Sequence, residues 1–125
     1  MAKKVLLVED EKNVILGVRT CLDAVGYDVE VVEDGDDALN SVRREHPDLI
    51  LLDLLLPKVD GFEVLKVLKS DEATKNIPII VLTAKAEEED RQRTEDLGAD
   101  NYMTKPFKPQ ELWDLLKHYL PEQSE

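Results

Sequence analysis

The sequence predicts an α/β protein built on a doubly wound parallel sheet of five strands in the order 2-1-3-4-5. Short apolar runs alternate along the chain with segments whose apolar residues recur at helical spacing. The runs are nearly continuous rather than alternating, which is typical of strands that are buried on both faces. Right-handed crossovers between parallel strands then place helices on both faces of the sheet.

Five segments have the composition of strands. The third is the most apolar, so we expect it at the centre of the sheet. The second is less apolar and the fifth is short. The predicted strands cover residues 4–9, 29–32, 48–53, 78–83 and 100–104.

Five segments have helical spacing, and punctuating residues mark several of their ends. Gly26 ends the first pattern, Pro47 follows the second, Asp60 is a candidate N-cap of the third, and Pro121 ends the last. The fourth is nearly all polar. The helical patterns cover residues 14–25, 38–42, 62–68, 87–97 and 112–119.

Length and composition limit the kinds of function that this protein can have. The 125 residues suffice for one domain, which we place at 1–121 with a short tail at 122–125. The 16 basic and 28 acidic side chains give a net charge of −12, which disfavours direct contact with nucleic acid. No apolar stretch is long enough for a membrane helix, so we expect a cytoplasmic protein without membrane contact. Cys21, the single cysteine, lies at a helical core position.

Polar side chains follow the apolar runs at four of the predicted strand ends. Glu9-Asp10 follows the first strand, Asp53 ends the third, Thr83 ends the fourth, and Lys105 follows the fifth. The carboxyl ends of parallel strands meet at one edge of the sheet, where open α/β sheets bind ligands. Three carboxylates, a hydroxyl and an ammonium would converge there, which favours a site for a divalent cation and a phosphoryl group.

The carboxylates need a compensating charge. Two carboxylates about 4 Å apart repel by about 4 kcal/mol at an effective dielectric constant of about 20, and a third requires a proton or a cation. Hard oxygen ligands suit Mg²⁺. Simpler interpretations stay open: Glu9-Asp10 can cap a helix, Lys105 can be a solvated lysine, and Thr83 can reflect β-propensity alone.

Other sites have little support in the sequence. His46 and His118 lie far apart in the chain, and we expect both at the surface. No glycine spacing matches a phosphate-binding loop. Leu55 stands two residues after Asp53, where a phosphatase of the haloacid dehalogenase type would carry a second aspartate as its acid.

Six motifs follow one another in the chain: VLLVEDE (5–11), DGDDAL (34–39), PDLILLDLLLPKVDG (47–61), PIIVLTA (78–84), GAD (98–100) and KPF (105–107). With these motifs in this order, the chain from Lys4 to Leu120 resembles the receiver domain of bacterial two-component response regulators, a flavodoxin-like fold. The resemblance depends on all six motifs together rather than on any one of them.

The resemblance implies a role for each residue of the site. Asp53 would accept a phosphoryl group from a phosphohistidine, and Thr83, Lys105 and Tyr102 would act as switch hydroxyl, phosphate-pairing lysine and aromatic switch. The Lys105-Pro106 bond is often cis in this family. The resemblance implies a Mg²⁺ site made by Glu9, Asp10, Asp53 and the carbonyl of Leu55.

The resemblance also implies partners: a histidine kinase or phosphotransfer protein upstream, and a downstream protein that binds through residues 87–120. Leu55 occupies a position that is polar in many relatives, and Lys85 offers a second contact to the phosphoryl group. We therefore expect a long-lived phosphorylated form. Two alternatives are a Mg²⁺-dependent phosphatase of small phosphoesters, and a receiver-fold scaffold that does not signal.

Overall fold

The computed structural model describes residues 2–56, 58–84 and 88–121, in which five parallel strands alternate with five helices. The strands pair in the order β2-β1-β3-β4-β5, as predicted. In chain order the elements are β1 (Lys4–Val8), α1 (Lys12–Asp23), β2 (Asp28–Val32), α2 (Gly35–Arg44), β3 (Leu49–Asp53), α3 (Gly61–Ser70), β4 (Ile79–Thr83), α4 (Glu88–Asp96), β5 (Asn101–Thr104) and α5 (Pro109–Tyr119).

The register of the sheet brings the functional strand ends into line. All five residues of β3 are buried at the centre of the sheet, as its apolar sequence predicts. Leu52 pairs with Val8 on one side and with Val81 on the other. Thr83 in turn pairs with Thr104. The residues that end or follow β1, β3, β4 and β5 therefore share one edge of the sheet.

Two apolar clusters cover the two faces of the sheet. Residues of α1 and α5 contribute to one cluster, and residues of α2 and α3 contribute to the other. Cys21 is buried in the first cluster, as its helical position predicts. His46 and His118 are exposed, also as predicted.

The helix ends follow local hydrogen bonding. The Asp60 side chain accepts the Phe62 N–H at 2.8 Å, so the predicted N-cap is confirmed. The predicted end of α1 at Gly26 is confirmed: the regular helix runs to Asp23 and the turn that closes it ends at Gly26, although Val25 of the predicted pattern is 42% exposed. A turn satisfies the last carbonyls there: the Tyr27 N–H donates to the Leu22 carbonyl at 3.1 Å, and Gly26 adopts a φ of 84°.

Helices α2 and α5 differ most from the predicted starts, because polar or proline residues form their first turns and the apolar pattern begins only at residues 38 and 112. Asp34 caps α2 by accepting the Asp37 N–H at 2.9 Å, and Pro109 occupies the first turn of α5. No helix in the part of the chain that the structure describes is long and apolar enough to cross a membrane. The predicted tail, 122–125, lies outside the described residues.

Candidate functional site

Three carboxylates meet at the carboxyl ends of β1 and β3. Glu9 and Asp53 are 0% and 4% exposed, whereas Asp10 is exposed. One carboxylate oxygen from each residue lies within 4.8 Å of the others. The N-cap of α1 is Glu11, so the interpretation of Glu9 and Asp10 as a helix cap is wrong. Glu9 instead accepts the N–H of Glu11 at 3.1 Å, which fixes its carboxylate at the site.

Lys105 reaches into the carboxylate cluster. Its Nζ lies 2.6 Å from Glu9 Oε1 and 3.5 Å from Asp53 Oδ2, and its side chain is only 13% exposed. The interpretation of Lys105 as a solvated lysine is therefore wrong. Glu9 is the closer of its two carboxylate partners.

The electrostatics of the cluster favour an additional cation. Burial raises the pKa of Asp53 to about 6, helped by the charge of Glu9, while the Leu55 N–H and Lys105 oppose this rise. Burial lowers the pKa of Lys105, but the hydrogen bond to Glu9 and the charge of Asp53 outweigh it, so the net shift is upward. One ammonium faces three carboxylates, and these oxygen donors fit a hard divalent ion such as Mg²⁺.

Leu55 contacts the site through its backbone. Its N–H donates to Asp53 Oδ1 at 3.1 Å, whereas its side chain is 55% exposed beside the site. Sequence reasoning missed this contact, because any residue type supplies a backbone N–H. Participation of the Leu55 carbonyl in a metal site stays a prediction.

Thr83 and Tyr102 lie on the two strands beyond β3. Thr83 is fully buried, and its carbonyl accepts the Lys105 N–H at 2.8 Å, which ties the end of β4 to that lysine. Tyr102 is half-buried and packs against the cluster on the α3 side of the sheet. It borders clefts of about 130 Å³ toward α4 and about 530 Å³ toward α5. The Lys105-Pro106 bond is cis, as the resemblance implied.

Gly61 is a further residue on which the site depends. A Cβ atom there would lie 2.6 Å from the Asp53 carbonyl oxygen and 2.5 Å from Leu54 Cα. Only glycine allows α3 to start this close to the strand that carries Asp53. The sequence signalled Gly61 only as part of the 47–61 motif. Lys85, a predicted second contact to the phosphoryl group, lies outside the described residues.

Comparison with known proteins finds one family that this chain matches over most of its length. Residues 5–117 match the sequence profile described as the response regulator receiver domain. The chain is 47% identical over 112 residues to the alkaline phosphatase synthesis transcriptional regulatory protein PhoP of Bacillus subtilis. That match covers 90% of this chain and 46% of PhoP, so the chain spans about half the length of this relative.

Two solved structures show the same fold. The receiver domain of the Pseudomonas aeruginosa sensor histidine kinase PA1611, which has a magnesium ion in its active-site cleft, aligns with a TM-score of 0.89 and 35% identity over 97% of this chain and 99% of that chain. The phosphorylated cyanobacterial phytochrome response regulator RcpA aligns with a TM-score of 0.82 and 39% identity over 94% of this chain and 91% of that chain.

Proposed function

Because this chain belongs to the response regulator receiver domain family, we propose that it is a phosphorylation-dependent signalling switch whose Asp53 accepts a phosphoryl group. The donor is the phosphohistidine of a histidine kinase or phosphotransfer protein. One observation carries the proposal: Asp53 is buried at the end of the central strand, within reach of Glu9, Asp10 and Lys105. RcpA, a relative of the same fold, has been crystallised in a phosphorylated form.

Glu9, Asp10, Asp53 and the Leu55 carbonyl would hold Mg²⁺. The three clustered carboxylates and the raised pKa of Asp53 both support a cation at this position. The magnesium ion in the PA1611 receiver domain supports the choice of metal. When bound, Mg²⁺ supplies positive charge that offsets the charge of the carboxylates and of the incoming phosphoryl oxygens.

The residues of the site prepare Asp53 for attack on phosphorus. The Leu55 N–H holds Oδ1, which fixes the orientation of the carboxylate. As the bond from an Asp53 oxygen to phosphorus forms, the bond from phosphorus to the donor's histidine nitrogen breaks, and its electron pair stays on that nitrogen. Lys105 lies 3.5 Å from Asp53 and pairs with the phosphoryl oxygens, so its contribution is electrostatic.

The negative charge of the phosphoryl group on Asp53 drives the conformational change. The phosphoryl oxygens attract the Thr83 hydroxyl, and Tyr102 moves into the space that this motion opens. The change biases a two-state surface formed by α4, β5 and α5, which binds a downstream protein. This surface falls within the predicted partner segment 87–120, of which residue 87 lies outside the described residues. The domain catalyses only its own phosphotransfer and slow self-dephosphorylation.

Intact mass after incubation with Mg²⁺ and acetyl phosphate separates the proposal from its alternatives. A stable gain of one phosphoryl group is expected. Catalytic release of inorganic phosphate without a stable adduct would instead support a phosphatase, and an unchanged mass would support a scaffold that does not signal.

Binding of Mg²⁺ is expected to raise the melting temperature, because only the folded chain assembles the three carboxylates. At ten times the dissociation constant the gain is about 1.4 kcal/mol, or about 5 °C for a domain of this size. Asp10→Ala should lose most of this rise, whereas Asp23→Ala, an exposed carboxylate at the other end of α1, should keep it. Equal rises in all three proteins would place the metal elsewhere.

The Leu55 side chain is expected to prolong the phosphorylated state. It is 55% exposed beside Asp53 and can neither orient nor activate an attacking water. Leu55→Asn should therefore speed self-dephosphorylation by up to about 10-fold, which corresponds to about 1.4 kcal/mol of transition-state stabilisation.

The assay is phosphate release from purified phosphoprotein in Mg²⁺ without kinase. Leu16→Asn is the matched control, because Leu16 is a 66% exposed leucine on α1. A Leu55→Asn protein that holds phosphate as long as wild type would exclude this role for Leu55.

A further inference from the structure

Helix α4 is attached to the domain in an unusual way. Among the described residues it is the one helix that buries no apolar side chain, and Thr94 is its buried residue. The other helices each bury at least two apolar side chains, such as Leu112 and Leu116 of α5. Burial of apolar surface, the usual force that docks a helix, is therefore limited at α4 to Leu97, which follows the helix and packs against the cluster on the α3 side.

Two arginines of α4 lie over aromatic rings instead. The guanidinium carbon of Arg93 is 3.8 Å from the centroid of the Phe62 ring on α3. The guanidinium carbon of Arg91 is 5.9 Å from the centroid of the Tyr102 ring on β5. A cation within about 6 Å of a ring centroid is attracted by the ring's quadrupole. Arg93 makes the closer contact, while Arg91 lies at the limit of this range.

Backbone contacts hold the start of α3, which includes Phe62, close to Asp53. Phe62 follows Gly61, whose N–H donates to the Leu54 carbonyl at 3.2 Å and whose missing side chain allows contact with the β3 backbone. The Phe62 N–H also donates to the Asp60 side chain at 2.8 Å. The Arg93–Phe62 contact therefore joins α4 to the first turn of α3, next to the end of β3.

We propose that Arg93 is a positioning residue, and that its stacking on Phe62 holds α4 in the unphosphorylated position. The regulatory half of this inference, that the stacking opposes the switch, rests on the proposed function, in which α4 belongs to the surface that changes on phosphorylation. In this proposal the unphosphorylated state makes the contact and the phosphorylated state does not. Removal of the contact therefore destabilises only the unphosphorylated state, and the equilibrium shifts toward the phosphorylated conformation by as much as the contact contributed. The Arg93–Phe62 contact thereby sets how readily phosphorylation moves α4.

Amide hydrogen exchange of residues 88–96 tests the stacking in the absence of any phosphoryl group. Arg93→Gln and Phe62→Leu should each speed this exchange by about two- to fivefold, the range for an exposed cation–π contact. Arg93→Lys and Phe62→Tyr keep the cation and the ring, and should remain close to wild type. The double variant Arg93→Gln/Phe62→Leu should exchange no faster than the faster single variant.

Titration with beryllofluoride in Mg²⁺ tests the regulatory half. Arg93→Gln should bind this phosphoryl mimic about two- to fivefold more tightly than wild type, because the resting state has lost a contact. Arg43→Gln removes an exposed arginine from the last turn of α2 and controls for the change in charge. It should match wild type.

Unchanged exchange in both single variants, or additive effects in the double variant, would overturn the role of the stacking. Faster exchange with an unchanged beryllofluoride affinity would overturn its regulatory effect. A wild-type protein that failed to bind beryllofluoride would overturn the proposed function and the regulatory half together. The exchange of the resting protein would still decide whether Arg93 holds the helix.

Discussion

Asp53→Asn is expected to abolish phosphorylation by acetyl phosphate while the fold remains intact. An amide is a much weaker nucleophile than a carboxylate, and it is also a weaker ligand for a cation. The fold should survive because one of three crowded carboxylates is removed and repulsion falls. Intact mass measures the first effect, and the melting temperature measures the second.

Asp53→Asn should also change how the stability of the fold depends on pH. The folded pKa of Asp53 is about 6, above its ordinary value of 3.8, so the folded chain binds this proton more tightly than the unfolded chain. Without metal, the contribution of Asp53 therefore makes wild type less stable as the pH rises from about 4 to about 6. Asp53→Asn should lack this loss and should melt higher than wild type at pH 7.

Asp36→Asn is the matched control for both readouts, because Asp36 is an exposed carboxylate in the first turn of α2. It should accept phosphate at the wild-type rate and melt like wild type. Phosphorylation of Asp53→Asn at the wild-type rate would show that the acceptor is another residue.

Lys105→Met is expected to destabilise the metal-free protein by about 3 kcal/mol near neutral pH, since removal of one partner from a buried ion pair commonly costs about 3–5 kcal/mol. Lys105 lies 2.6 Å from Glu9, whose side chain is 0% exposed. The variant would leave the carboxylates of Glu9 and Asp53 without their ammonium. Mg²⁺ should recover part of the loss, because it brings positive charge to the same carboxylates.

The rate of phosphorylation should fall as well, by about 100-fold, as for other groups that stabilise charge in a transition state. Chemical denaturation with and without Mg²⁺ measures the stability, and intact mass against time measures the rate. Lys75→Met is the control, because the pair of Lys75 with Glu72 is exposed and such pairs contribute about 0–1 kcal/mol. Similar losses in the two variants would show that Lys105 is not a buried partner of the site.

The sheet could be predicted from the sequence because its signals are strong and local. Strands β1, β3 and β4 are short apolar runs, and the most apolar of them, Leu49–Asp53, is the central one. The same reasoning identified Glu9, Asp10, Asp53, Thr83 and Lys105, because the polar residue at each strand end interrupts an apolar run. Their assembly at one edge then follows from parallel topology.

Other features depend on three-dimensional contacts that leave little trace in the sequence. The choice of Lys105 between Glu9 and Asp53 depends on distances of 2.6 and 3.5 Å, which no spacing reveals. The Leu55 N–H is a backbone group, so the residue type carries no signal for it. The attachment of α4 through Arg93 and Phe62 joins residues of two helices that are distant in the sequence.

The chemical identity of the acceptor is the most direct test of the proposed switch. Wild-type protein is incubated with acetyl phosphate and Mg²⁺, and borohydride then reduces the acyl phosphate to an alcohol that marks the modified residue. Tandem mass spectrometry of the peptides should find homoserine at position 53 and unmodified carboxylates at Glu9 and Asp10. A reduced residue at position 9 or 10, or no reduced residue in a protein that had gained phosphate, would contradict the assignment of Asp53.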